Sequence, residues 1–314
     1  MRLFISESDV LVSIEELIKN TVKGLLSEQQ LLVSLCQLLP IFNEYYRDDF
    51  VYSSLINDFI RVKFLIDIIM AEMNSSELEV VILNNIEEIR NALIGNFKNY
   101  VAEMQQHRCQ EEKNKKKLQE YLSFLFDHYS RLLVIRIDLK YLKFFKKNVT
   151  IEIFSKHMET LKNRMSNKDG CFKDLQGFAW AMEQGVDLGY HCHLMLLYDG
   201  SKHQDGFGLG RKVEAKWKEI TQALGNSFIC NDFRYLKRFK HQDNVAIGMI
   251  LRNDHELVSK AINVGQYLVK PEKENQHLRV KISSKQKTFN TGFYLNSWRR
   301  CLSYDYSEKL NYSI

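Results

Sequence analysis

The chain has 314 residues, 45% of them hydrophobic, which is enough apolar material for two ordinary cores. No uncharged apolar run nears the roughly 18 residues that a membrane span needs, and the N-terminus MRLFISESDV lacks the basic-then-apolar layout of an export signal, so a cytoplasmic protein is expected. The net charge of +5 hides a split: residues 1–112 carry 9 Lys/Arg against 18 Asp/Glu, and the remainder carries 35 against 21. The second half is thus either a surface for a polyanion or simply a basic surface. Six scattered cysteines without a Cys-x-x-Cys pair argue against a disulfide framework and a structural zinc site.

The first ~125 residues read as helices. Leu11, Ile14, Leu17 and Ile18 recur at helical spacing, as do Ile82, Ile86, Ile89 and Leu93, and FIRVKFLIDIIMAEM fits between them. Asn74-Ser75-Ser76 breaks the run, and the charged segment EEKNKKK at 111–117 reads as a solvated helix face or linker. From about residue 130 the texture changes. RLLVIRIDLKY (131–141) reads as a strand, TIEIFSKHMETLKNRM (150–165) as a helix capped by Thr150, and GFAWAMEQG (177–185) as a second strand. GYHCHLMLLYDG (189–200) is a strand closed by Asp199-Gly200. A helix over 209–224, a strand over 244–251 and a helix over 254–270, stopped by Pro271, complete the pattern. Interleaved elements with short connections predict an α+β fold: an N-terminal helical part, then a mostly antiparallel sheet flanked by helices.

Side chains alternate faces along a strand, so His191 and His193 point the same way. Two such imidazoles are either ordinary sheet-face residues or metal ligands. Glu183, eight residues before His191 on the preceding strand of the same hairpin, would supply a carboxylate if the register allows; otherwise it is a solvated strand-end residue. Two imidazoles and a carboxylate suit Mn²⁺, Mg²⁺ or Zn²⁺ with positions left open. The third element is Tyr267-Leu-Val-Lys270. At 100° per residue, Lys260, Asn263, Tyr267 and Lys270 share one polar arc of the 254–270 helix, opposite Leu257, Ala261, Ile262, Gly265, Leu268 and Val269. Tyr267 is therefore a projecting residue, chemically idle or poised. A second Tyr-x-x-Lys, Tyr306 to Lys309, lies in the tail without such a frame.

The order of strand 131–141, HCH at 191–193 and YLVK at 267–270 resembles the three motifs of HUH endonucleases. Within them the chain looks most like inovirus-type and prophage replication proteins, the YagK/YfjJ-like group. LVIRIDLKY, the GYHCHLMLLYDG block, VEAKWKEIT and YLVKPEKENQHLR followed by KTFNTGF carry that closer match, over about residues 130–292. The resemblance implies an HUH-like nuclease domain at 128–292; outside it lie the helical domain of unknown role at 1–127, read from its periodicity, and a tail at 293–314. It also implies a divalent cation, Mn²⁺ or Mg²⁺, on His191, His193 and Glu183, and Tyr267 as the single nucleophile, with Lys270 steadying the phosphate and favouring tyrosinate. The role of Asp138 stays open.

The implied activity is replication initiation for a phage or prophage: nicking and rejoining single-stranded or hairpin DNA through a 5′-phosphotyrosine. Rival readings are an inactive, domesticated protein on the same fold that binds DNA or a host partner, and a plain metal-dependent hydrolase. Arg211, Lys212 and the interleaved Phe233, Arg234, Tyr235, Lys237, Arg238, Phe239 and Lys240 offer phosphate and base contacts, or an amphipathic edge strand or loop. The acidic helical half suggests docking of host replication proteins, such as a helicase, or self-association.

Overall fold

In the computed structural model, which describes residues 5–73, 76–237, 246–269 and 276–294, helices come first. They are α1 (Glu7–Val22), α2 (Glu28–Tyr45), then after a short strand β1 (Val51–Tyr52), α3 (Ser54–Glu72), α4 (Leu78–Asn84), α5 (Ile86–Ile94) and α6 (Phe97–His128). Ser6 and Ser27 open α1 and α2 with reciprocal capping boxes, so the first turns satisfy their own amides. The EEKNKKK run is a mostly exposed stretch of α6.

The second half follows as β2 (Arg131–Tyr141), α7 (Ile151–Asn167), β3 (Leu175–Gly185), β4 (Gly189–Asp199), α8 (Gly206–Ile220), β5 (Gly225–Ile229), α9 (Phe233–Lys237), β6 (Gly248–Leu251), α10 (His255–Gln266), β7 (Val280–Lys281) and β8 (Phe289–Thr291). Thr150 caps α7, as expected. The main sheet is antiparallel throughout, in the order β5-β2-β4-β3-β8, with β6 pairing the start of β2. The α+β arrangement predicted from the pattern is the one observed.

Pleat parity gives each sheet face its own core. Leu133, Ile135, Ile137 and Leu139 of β2 and Cys192, Leu194 and Leu196 of β4 point towards α7 and α8, meeting Phe154, Met158, Val213 and Trp217. That apolar cluster continues without a break into α1–α5. Leu132, Val134, Ala179, Met195 and Leu197 point to the other side, under Leu118, Leu122 and Leu125 of α6 and Ala261 of α10. Gly265 lets α10 sit close: a Cβ there would stand 2.5 Å from Leu122 Cδ1 and 3.1 Å from Met195 Sδ. Among the described residues, no helix is long and apolar enough to cross a membrane.

Candidate metal centre and the tyrosine beside it

The β3–β4 hairpin turns at Gly189, whose φ of 64° lies in the left-handed region and whose Cβ, if present, would meet Lys146 Cε at 2.7 Å. This turn sets the register that the sequence left open: Glu183 pairs directly with His191, and His193 pairs with Ala181 on one side and Asp138 on the other. Directly opposed residues share a face, so Glu183, His191, His193 and Asp138 all project on the α6/α10 side. Along β4 that face runs from apolar Leu197 and Met195 into the two imidazoles. All three of Glu183, His191 and His193 are buried, with their ligand atoms within 4.8 Å of one another.

The donor atoms converge. His191 turns Nδ1 to the Gly189 carbonyl oxygen at 2.9 Å, and Nε2 to Glu183 Oε2 at 3.5 Å. His193 turns Nδ1 to Asp138 Oδ1 at 2.6 Å, and Nε2 to Glu183 Oε2 at 3.2 Å. A carbonyl or carboxylate oxygen against Nδ1 accepts an N–H from it, which leaves each Nε2 to present its lone pair inwards. Two lone pairs facing a carboxylate call for positive charge between them, supplied by a proton or by a metal ion. Burial disfavours the charged imidazole of His193, yet the bonds to Asp138 and Glu183 outweigh it and raise its pKa. Burial likewise opposes ionisation of Asp138, but His193 and Arg136 hold its pKa below the ordinary carboxylate value. A carboxylate behind a histidine is the arrangement that orients a metal-bound imidazole. The residues fit a divalent cation.

Tyr267 caps the end of α10 in αR conformation, one residue past the helix, 41% exposed. The predicted helix therefore stops at Gln266, four residues short of 270. The apolar side of the predicted arc does face inward, with Ala261, Leu268 and Val269 buried. The Arg136 guanidinium lies 4.6 Å from the centre of the Tyr267 ring and 3.9 Å from Asp138 Oδ1. Arg136 Nε is buried with no hydrogen-bond partner among the described residues. One arginine thus connects the tyrosine to the carboxylate that holds His193. Lys270 lies outside the described residues, as do Arg238, Phe239, Lys240 and the Tyr306–Lys309 pair.

The strand or loop expected around 233 is the short helix α9. There Tyr235 packs edge-on to Phe228 at 4.9 Å, and Lys237 lies 5.4 Å from the centre of the Phe233 ring. Phe228 pairs with Asp138, which puts this aromatic step on the same sheet face as the triad. Arg136 and Asp138 were absent from the expected site. Their signal was two opposite charges at alternate positions in the middle of a mostly apolar strand, both on one face.

With this geometry in hand, the chain matches the family model of the YagK/YfjJ C-terminal domain over residues 96–299. It belongs to that prophage-associated family. The match starts at α6 instead of near residue 130, consistent with α6 packing on the sheet face that carries the triad. No curated protein matches the chain, and no solved structure does.

Proposed function

We propose that the protein is a metal-dependent, single-tyrosine DNA nickase and strand transferase of the HUH type, initiating replication of a phage or prophage. The observation that carries this reading is the convergence of two imidazoles and a carboxylate, linked to Tyr267 through Arg136 and Asp138. Glu183, His191 and His193 would hold the cation, which when bound supplies Lewis-acid neutralisation of charge on a phosphate.

The chain's own residues do the rest. Arg136 presents a guanidinium beside Tyr267, suited to a phosphate oxygen. Tyr267 Oη attacks the phosphorus of a phosphodiester, losing its proton to solvent. The O–P bond to tyrosine forms as the bond to the 3′ oxygen breaks, giving a 3′-hydroxyl strand and a 5′-phosphotyrosine. Reversal by a 3′-hydroxyl rejoins the strand. Phe228 and Tyr235 offer faces on which bases flanking the cut stack.

The test is incubation with 5′- and 3′-labelled single-stranded DNA and Mn²⁺, followed by denaturing electrophoresis. The reading expects a protein-linked band carrying only the 3′ label, removed by chelation. Cleavage without a linked product would make the protein a plain hydrolase. Retention of DNA without cleavage under any metal would make it a binding protein.

A further inference from the structure

On the other face of β3, away from the triad, a groove of about 770 Å³ opens between α7, the edge of the sheet and the 282–287 segment that leads into β8. Its volume lies within the range of roughly 300–1,000 Å³ typical of ligand sites. Trp180 and Phe178 line it from below, and Phe293, 85% exposed, stands at its end. Lys162, Lys168, Lys285 and Lys287 surround it. Lys162 Nζ lies 5.0 Å from the centre of the Trp180 ring, and Glu159, the one acidic residue of the lining among the described residues, partly offsets its charge. Positive charge is concentrated here: burial and then the nearby Lys287 lower the pKa of Lys117, whose amine donates to Asn290 Oδ1 at 3.0 Å. Gln286 donates to Ser155 Oγ at 2.9 Å, tying the 282–287 segment to α7 so that the groove has two fixed walls.

We infer that this groove is a second binding site, for single-stranded DNA, in which lysines take phosphates, Phe178 and Phe293 take unpaired bases, and the buried Trp180 serves as floor. Lysines at a rim fit a polyanion, while aromatic side chains within reach need a ligand with exposed flat apolar faces. A duplex hides its bases and lacks that second feature. A strand seated here would be gripped apart from the phosphodiester at the triad, so the site would hold a stretch of strand distant from the cut. Its occupancy needs neither metal nor cleavage and is separable from the proposed chemistry.

The test is anisotropy of a fluorescein-labelled, mixed-sequence single-stranded oligonucleotide with the full chain in EDTA, over a series of salt concentrations. Lys285→Gln with Lys287→Gln, both exposed, should weaken binding about tenfold and flatten the log–log salt slope by about 1.4, the value for two lost phosphate contacts. Phe293→Ala should weaken binding by about tenfold with little change in that slope. His191→Ala with His193→Ala should abolish the DNA adduct while leaving this binding intact, so failure of one reading is visible apart from failure of the other. Unchanged affinity and slope in the double lysine variant would overturn the inference. So would equal competition by duplex DNA, or displacement by free mononucleotide, which would make the groove a nucleotide pocket.

Discussion

Asp138 gives the sharpest residue-scale prediction. Its carboxylate accepts from His193 and so fixes which nitrogen faces Glu183. Asp138→Asn keeps the shape but removes the charge, and should weaken Mn²⁺ binding about 10- to 100-fold with little loss of fold. Isothermal titration with Mn²⁺, alongside a circular dichroism melt, checks this. At this scale the sequence was partly legible. His-x-His within a strand fixed the shared face of the imidazoles, because the side-chain period of a strand is two. The place of Glu183 opposite His191 depended on a register set by the Gly189 turn. Arg136 and Asp138 gained meaning only when β2 was laid beside β4, since strand pairing joins residues more than fifty positions apart.

At the scale of elements, the close seat of α10 is what brings Tyr267 to Arg136. Gly265→Val would press a branched side chain into Leu122 and Met195. It should cost about 1–3 kcal/mol by overpacking, and it should reduce formation of the DNA adduct because the helix end shifts. A urea midpoint gives the first number, and the adduct assay gives the second. The long strands β2, β3 and β4 and the amphipathic α7, α8 and α10 were readable because periodicity over ten or more residues reports burial. The short strands were not. β1, β5, β7 and β8 have two to five residues each, too few for a pattern, and exist because distant backbone pairs with them. The end of α10 was overextended because apolar Leu268 and Val269 continue the stripe past the last helical turn.

Across the whole molecule, the helical half and the sheet half share one core. Their junction is polar at its centre: Glu7 of α1 accepts from Tyr190 Oη at 2.7 Å and from the Ile151 amide at 2.6 Å, and Gln184 donates to Ser8. Glu15 pairs with Arg279 at 2.5 Å, both side chains buried. Charge and helical periodicity divided the sequence at about residue 128 but carried no trace of these contacts, each made between groups over a hundred positions apart. A chain starting at residue 96 loses these partners and should be much less stable, with an earlier and broader thermal transition than the full chain.

Glu7 also makes the junction pH-dependent. Burial pushes its pKa up from 4.5 to about 7, against the lowering effect of Tyr190 and Ile151. The folded state thus binds this proton more tightly than the unfolded chain. The contribution is complete below about pH 4.5 and is lost as pH rises through about 7, on the order of 3 kcal/mol. Glu7→Gln keeps an acceptor oxygen without the charge. Urea unfolding at pH 5 and pH 8 should show the variant close to the parent at pH 5 and more stable than it at pH 8.

The central claim is tested most directly by locating the covalent bond. After reaction with single-stranded DNA and Mn²⁺, nuclease trimming and tryptic digestion, mass spectrometry should find a nucleotide on the peptide spanning 261–273, at Tyr267, and none in the Tyr267→Phe protein. A nucleotide on another tyrosine, such as Tyr306, or an adduct that persists in Tyr267→Phe, would contradict it.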